Sequence, residues 1–510
     1  MSQTSKRSGV SSGDQQRPFR ADALRRVHFI AIGGTGMGSL AGLVAARGIE
    51  VTGSDKKLYP PMSTALADWG IDVVEGFDPA NLEPSGASGR GPDLVVIGNA
   101  VRADNAEAVA AIDSGIPYRS FSDALYELSI SGRHCITVSG THGKTTATNL
   151  AAHLLLATGR DPSLLVGGIS LDFGGSFREG EGDHFVVEGD EYDTAFFDKT
   201  PKFLHYHPDT LILTSVEFDH ADIYRDLDHV KQAFREVVHS MPADGRIVAA
   251  VCHDGVRDVL NDASCEVLGY GVEREGQSDV PEAVTWWARD LVAGGTGLRF
   301  VLEDRASGRE WDVLSPLFGA HNVENIVGVI AALAALSVPV EELITALRDH
   351  QGVKRRQEIR GTAAGVTVID DFAHHPTAVA GTIEAIAQRH PGSRVVALLE
   401  PRTNTSRRAI FQDDYIRALK RADRTAIAEV GDDPIYSITG EVTECLSAEA
   451  VAAALRELGR DAAAFAEIDE IVDWVVEGRE DGDVVLVMSN GAFGGIWEKL
   501  LAKLAVAGDR

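Results

Sequence analysis

The chain has 510 residues, four cysteines and a formal net charge of −28. That acidity argues against a surface built for nucleic acid or anionic membranes, although local backbone amides can still hold a phosphate. With no run of about 18 apolar residues, and with a polar first 21 residues lacking a signal peptide's apolar core, the expectation is a cytoplasmic, multidomain protein behind a short disordered head. Cys135, Cys252, Cys265 and Cys445 form no CxxC pair and are expected as buried free thiols, not a zinc or disulfide framework.

In chain order, 27–55 reads as strand, glycine turn, helix and strand, and 93–101 as another buried strand. The stretch 83–92 is rich in turn residues and reads as a loop. A first α/β unit is therefore expected over 22–128. A second begins at "ITVSGTHGKTT" and continues through strands at 184–190, 210–216 and 246–251 to an apolar helix at 321–336, giving 129–351. A third, 352–510, carries strands at 366–372, 394–400, 424–430 and 483–490 and a helix at 449–458. Three successive α/β domains fit the length, and no short-period repeat appears.

The second unit opens with a phosphate-loop pattern that is incomplete, because Val138 stands where the strict pattern has glycine. The chemistry is nonetheless suited to an anion. Gly140 and Gly143 let backbone approach closely, Lys144 adds positive charge, and Thr145 offers a hydroxyl for Mg²⁺ at a helix N-terminus. Glu188 opens an acidic strand end, and Glu217, Asp219, His220 and Asp222 follow the next apolar strand. Such acids are either solvated turns or oxygen ligands for Mg²⁺. In the first unit, "GGTGMGS" (33–39) is a loose dinucleotide pattern with Ser39 in the last glycine's place, and Asp55 sits near the distance of a ribose-binding acid.

"GTHGKT" resembles the ATP loop of the Mur ligase family, which joins a carboxylic acid to an amine at the expense of ATP; the resemblance runs from about residue 25 to 500. It implies an α/β fold of three domains: a Rossmann-like N-terminal domain, a central P-loop ATPase-like domain and a Rossmann-like C-terminal domain. It also implies an ATP site over Gly140, Thr141, His142, Gly143, Lys144, Thr145 and Thr146 with His321, Asn322 and Asn325, the last expected at the adenine. These three polar residues are placed just ahead of the 321–336 helix. From "GVKRRQE", otherwise a solvated basic face, Arg356 is expected on ATP phosphate. From "IDDFAHHP", where Phe372 replaces the usual tyrosine, Asp371 is expected on the ribose and His374 or His375 near the phosphates. Lys144, His220 and Arg356 are the expected catalytic residues. Thr145, Glu188 and His220 are expected to hold Mg²⁺.

The first domain resembles the muramate-recognising branch, which places UDP-sugar at Gly34, Gly36, Met37, Gly38, Asp55 and Asn99. Within that branch, one activity adds L-alanine to UDP-N-acetylmuramate and another adds the recovered tripeptide L-Ala-γ-D-Glu-meso-diaminopimelate. "DEYDTAFFDK", "EPRTNTSRR" and "VLVMSNGAFGGI" resemble the tripeptide-adding members. Arg402 and Asn404 are the expected amine-substrate contacts. Arg407 and Arg408 are left open between substrate contact and a solvated loop. The alternatives are the L-alanine activity, an NAD-dependent dehydrogenase built on 33–55, and a non-catalytic nucleotide-binding regulator. The dehydrogenase leaves 140–145 and 188–220 without a role, and the regulator would be expected to have lost Lys144 or the metal acids.

Overall fold

The computed structural model describes residues 19–508 apart from 60–61, 85–88, 275–279, 432 and 439. Most of the expected head and part of the 83–92 loop lie outside the described residues. The chain divides into two units. One is Met1–Gly132 with Asp193–Tyr206, and the other is Arg133–Tyr192 with His207–Arg510.

The first unit holds a five-stranded parallel sheet in the order Asp72–Glu75, Glu50–Asp55, Arg26–Ile30, Leu94–Ile97, Tyr118–Ser120. Arg26–Ile30 and Leu94–Ile97 are buried along their whole length; the second is apolar throughout, and the first also buries Arg26 and His28, the latter 2.6 Å from Glu107 Oε1. The strand order reverses between these two, so their carboxyl ends form the crevice where such sheets take ligands. Helix Thr35–Ala46 follows the glycine turn. A Cβ on Gly38 would lie 2.2 Å from Met62 Sδ, so this glycine serves close packing of that helix. The segment Asp193–Tyr206, expected as part of the central block, belongs to this unit. Phe196 and Phe197 pack against the cluster of Ile30, Val95 and Ile97. Thr194 Oγ1 donates to Ser122 Oγ at 2.7 Å, and His205 Nδ1 lies 2.8 Å from Asp123 Oδ1.

The second unit contains a ten-stranded and a six-stranded sheet. In the larger sheet, His134–Ser139 lies between Thr210–Leu213 and His184–Gly189, all parallel. Arg246–Ala250 and Glu266–Val272 extend it on one side. Beyond them Val284–Gly294, Gly297–Asp304 and Arg309–Ser315 add an antiparallel meander that the sequence reading did not resolve. Helices Lys144–Ala157 and Ala320–Ala335 share one core with the sheet, including Ile136, Val138, Leu150, Ile326 and Ile330. Every residue from Asn322 to Leu333 is buried, as for a helix packed on all sides. The smaller sheet runs Glu358–Ala363, Val366–Asp371, Val484–Met488, Val395–Leu399, Arg424–Ala428, Asp461–Phe465, parallel except for the first strand.

Only Cys135 of the four cysteines is buried; all are free, and Cys445 is exposed, in a surface loop just ahead of helix Ala448–Glu457. That corrects the expectation of uniformly buried thiols. Among the described residues no helix is long and apolar enough to cross a membrane.

Candidate active site

Strand His134–Ser139 emerges from the middle of the large sheet and turns at once. Val138 occupies the place of the absent glycine because it is still strand, paired with Ile212 and Glu188. The turn itself needs glycine. Gly140 has φ 133° and Gly143 φ 80°. A Cβ on Gly140 would fall 2.2 Å from Thr214 Oγ1, and one on Gly143 would fall 2.4 Å from Asn325 Oδ1. The neighbouring strand end pins the loop. Thr141 N donates to Ser215 O at 2.9 Å, His142 N to Ser215 Oγ at 2.9 Å, and Thr214 Oγ1 to His142 O at 2.5 Å.

Two charged clusters flank this loop. In one, Lys144 Nζ donates to Gly140 O at 2.6 Å and to Glu191 Oε2 at 2.9 Å, while His220 Nε2 lies 3.2 Å from Glu191 Oε1. Burial pushes the Glu191 carboxyl up, but Lys144 and His220 outweigh it and hold it at about 2. For His220 burial lowers the pKa, and the bond and charge of Glu191 reverse this and push it up to about 9. The His220 backbone is left-handed (φ 52°), a conformation costing on the order of 1–3 kcal/mol. Its own N–H is held by Asp219 Oδ1 at 2.7 Å, and its carbonyl accepts Ile223 N and Tyr224 N, each at 2.8 Å. The Tyr224 hydroxyl donates to the Glu191 carbonyl.

In the other cluster, Thr145 Oγ1 donates to Glu188 Oε1 at 2.9 Å and Gly167 N donates to Oε2 at 2.7 Å. Burial and the nearby Asp190 raise the Glu188 pKa against the pull of Lys144. Arg356 reaches in from beyond residue 350, donating to Thr145 Oγ1 at 3.2 Å. Its guanidinium lies 4.8 Å from the Phe372 ring centroid. The ring face, not a tyrosine hydroxyl, makes this contact.

A cavity of about 1350 Å³ opens beside the loop. Of the expected nucleotide residues, His142, Gly143, Thr145, Thr146, His321, Asn322, Asn325, Arg356 and Asp371 line it; Gly140, Thr141 and Lys144 do not. His321, Asn322 and Asn325 sit inside the first turns of helix Ala320–Ala335, not ahead of it, because Gly319 (φ 95°) is the N-cap. Asn322 Nδ2 donates to Phe318 O at 2.8 Å. Asp371 accepts Gln357 N and Ala373 N, both at 2.8 Å, so its carboxylate also closes two loops. Of the two candidate histidines, His375 lies beside His142 with ring centroids 4.7 Å apart and the rings tilted by 44°, whereas His374 turns its Nδ1 to Phe372 O at 3.0 Å. Glu217 lies 3.3 Å from His142 Nε2 and accepts Thr377 Oγ1 at 2.6 Å.

The other expected residues fall into two places. In the first unit Asp55 accepts Gly33 N and Lys56 N, each at 2.7 Å, so its carboxylate holds the glycine turn. Gly34 and Gly36 are at the open start of the helix, Met37 and Gly38 pack inward, and Asn99 follows the strand that ends at Ile97. In the second unit, Arg402 and Asn404 sit in a turn held by Ser406 Oγ, which accepts Arg402 N at 3.0 Å and Thr403 N at 2.9 Å. Arg402 lies against Gly491, where a Cβ would come 1.8 Å from its Nη1. Thr405 Oγ1 accepts Ala221 N at 3.0 Å, which brings this turn beside His220. Arg407 is buried and donates to the Gly431 carbonyl at 2.5 Å and to that of Asp433, so it is not a solvated arginine. Arg355 is not solvated either; it pairs with Asp370 at 3.2 Å and donates to the Ser489 and Gly491 carbonyls, each at 2.7 Å.

Glu191, Thr377 and Ser215 were not singled out in sequence. Glu191 had a signal: it stands three residues past Glu188 in the same acidic strand end. Thr377 and Ser215 had none, since their partners lie far away in the chain.

Three family models match in succession: Mur ligase family, catalytic domain over 26–133; Mur ligase middle domain over 138–333; and Mur ligase, glutamate ligase domain over 355–491. The chain is 40% identical over 481 residues to the UDP-N-acetylmuramate–L-alanyl-γ-D-glutamyl-meso-2,6-diaminoheptandioate ligase of Escherichia coli K12, covering 94% of this chain and 98% of that protein. It is 34% identical over 493 residues to the UDP-N-acetylmuramate–L-alanine ligase of an Acidovorax species, covering 94% and 96%. The crystal structure of a murein peptide ligase from Psychrobacter arcticus matches with TM-score 0.67 and 32% identity over 94% of this chain and 99% of that one. With all three α/β blocks matched in order and the glycine loop, acidic strand end and buried helix in their expected places, the chain belongs to the Mur ligase family.

Proposed function

We propose that this chain is an ATP-dependent amide ligase that joins L-Ala-γ-D-Glu-meso-diaminopimelate to UDP-N-acetylmuramate, returning recovered murein peptide to cell-wall synthesis in the cytoplasm. The observation that carries this reading is 40% identity spread over 94% of the chain to a tripeptide ligase, against 34% to an L-alanine ligase of similar coverage.

A carboxylate is a poor acylating agent. Transfer of the ATP γ-phosphoryl group to it forms an acyl phosphate. The peptide amine then adds to the carbonyl, and the tetrahedral intermediate expels inorganic phosphate as the amide forms. The protein's task is positioning and charge neutralisation. Lys144 exchanges its contacts to Gly140 O and Glu191 for phosphate oxygens, and Arg356 adds a second positive charge from the third domain. His220 is held by Glu191 beside the turn that carries Arg402 and Asn404, so the incoming amine meets the acyl group there. Asn325 and Asp371 receive adenine and ribose in the cavity. Gly34, Gly36, Met37, Gly38, Asp55 and Asn99 receive the UDP-sugar. In this reading, the first unit delivers the sugar, 129–351 apart from 193–206 delivers ATP and 352–510 delivers the peptide, with water excluded from the acyl phosphate.

The residues fit Mg²⁺. Glu188 is a half-buried carboxylate whose pKa burial and Asp190 push up, the condition in which a cation is favoured. Thr145 and Glu188 would hold one ion and His220 would help hold a second near the acyl phosphate, and together they would supply positive charge to the β- and γ-phosphates. The test is purified protein with ATP, Mg²⁺, UDP-N-acetylmuramate and tripeptide, followed by mass spectrometry. The UDP-N-acetylmuramyl-tripeptide and one ADP per product are expected. ADP release that does not depend on UDP-N-acetylmuramate would overturn the proposal.

A further inference from the structure

Three side chains from separate stretches meet where the chain passes into its third α/β block. His153 lies on helix Lys144–Ala157, Asp172 in the loop after strand Ser163–Leu165, and His350 just past helix Val340–Leu347. His153 Nδ1 is 3.0 Å from Asp172 Oδ1, and His350 Nδ1 is 3.0 Å from Asp172 Oδ2. The three ligating atoms lie within 4.8 Å of one another. The side chain of His350 is fully buried, and that of Asp172 is 4% exposed. Asn149 Nδ2 donates to Asp172 Oδ2 at 2.8 Å and Gln351 N to Oδ1 at 2.9 Å, so the carboxylate is oriented from both sides.

Protons account for only part of this arrangement. His153 Nε2 is 3.1 Å from the Ala346 carbonyl, which only accepts, so Nε2 carries the hydrogen. With a second hydrogen on Nδ1 the ring donates to Asp172 as well, and a cation bound at Nδ1 would take that hydrogen's place. His350 Nε2, the ring nitrogen turned away from Asp172, and Asn149 Oδ1 are buried with no hydrogen-bond partner among the described residues. Such orphaned groups ask for an explanation, and an ion is one. Two imidazoles with one carboxylate suit a borderline-soft dication of the zinc class, with a fourth position left open. Mg²⁺ and Ca²⁺ prefer oxygen alone. The bond from His153 Nε2 to Ala346 is the kind of outer contact that fixes a ligating imidazole.

We propose that His153, Asp172 and His350 form a site for one zinc-class divalent cation that braces the entry to the third domain. Residues 350–354 run beside 169–171 there: Leu171 N donates to Gly352 O at 2.9 Å and Lys354 N to Ile169 O at 2.9 Å. Two residues further on, Arg356 reaches Thr145, on the same helix as His153. The ion ties that helix to the strand-like run that delivers Arg356. Its role is bracing, separate from the phosphate chemistry.

The test uses the full chain, stripped with chelator and titrated with Zn²⁺ by calorimetry, then with Co²⁺ by visible absorption. One equivalent is expected in wild type and in Glu188→Gln and His205→Gln, with affinity reduced more than about tenfold in His350→Gln and Asp172→Asn. The Co²⁺ band should disappear with the same two variants. If His350→Gln fails to fold, His153→Gln, at a partly exposed side chain, reports instead. Unchanged Zn²⁺ affinity in both histidine variants overturns the site. So does wild type that binds no Zn²⁺ below millimolar concentration, the result expected of a clasp held by protons alone.

Discussion

Two glycine turns in this molecule share one topology and differ in sign. Each follows a buried parallel strand and opens a helix. At Gly33 the turn's N–H is already taken by the Asp55 carboxylate at 2.7 Å. At Gly140–Gly143 the backbone N–H groups of Thr141 and His142 go to Ser215 and not to a carboxylate; Glu217 meets only the His142 ring, Thr214 helps pin the loop, and Lys144 lies beside it. A carboxylate in the cradle repels phosphate and suits hydroxyl donors such as a ribose, whereas a lysine at a helix N-terminus suits phosphate. The glycine spacing alone does not distinguish these ligands; the charge that the next strand end contributes does.

The comparison breaks most visibly at Lys144. Lys144→Ala should lower ligation by on the order of 10²–10³ while UDP-sugar binding holds. Activity within tenfold of wild type would remove Lys144 from phosphoryl transfer. Glu188→Gln comes next. It should raise the Mg²⁺ concentration for half-maximal rate by roughly tenfold or more, and an unchanged Mg²⁺ titration would dissociate this cluster from the metal. On the other turn, Asp55→Ala removes the acceptor of two N–H groups. Calorimetry should show weaker UDP-sugar binding by about 1–3 kcal/mol with ATP binding intact. Equal loss of both ligands would mean the two turns do not serve separate ligands.

The smallest effect concerns the join between the central and third blocks. Burial raises the Glu217 carboxyl, but its bonds to His142 and Thr377 dominate and hold it at about 2. A carboxyl lowered on folding stabilises above its ordinary value of about 4.3, and that contribution fades as pH falls toward 2. Thr377→Val should therefore cost about 1 kcal/mol near neutral pH, with the gap to wild type closing below about pH 4. A gap independent of pH would show that the Thr377 hydroxyl does not act through the Glu217 charge.

Much of the fold was legible because its central strands are buried on both faces. Val27–Ile30, Ile136–Val138, Leu211–Leu213 and Val484–Met488 read as apolar runs interrupted only at His28 and Thr137. The meander at 284–315 was not, since its strands carry charged residues on an exposed face and lack that signature. The passage of Asp193–Tyr206 into the first unit was also hidden. Phe196 and Phe197 look like any local apolar pair until the cluster around Ile30 accepts them. Of the candidate site, the loop, Thr145 with Glu188, and His220 were readable as motifs at strand ends. Glu191, which holds both Lys144 and His220, lies in the readable acidic strand end, but its pairing with Lys144 across 47 residues leaves no local pattern that separates it from its acidic neighbours. The same holds for His153, Asp172 and His350.

The tripeptide assignment rests on 40% identity to a tripeptide ligase over 94% of the chain, and the proposed amine contacts, Arg402 and Asn404, stand in a hydroxyl-built turn beside His220. The most direct measurement supplies tripeptide and L-alanine together, at equal concentration, with ATP, Mg²⁺ and UDP-N-acetylmuramate, and weighs the two products by mass spectrometry. UDP-N-acetylmuramyl-tripeptide in large excess is the predicted result; a majority of UDP-N-acetylmuramyl-L-alanine would contradict it.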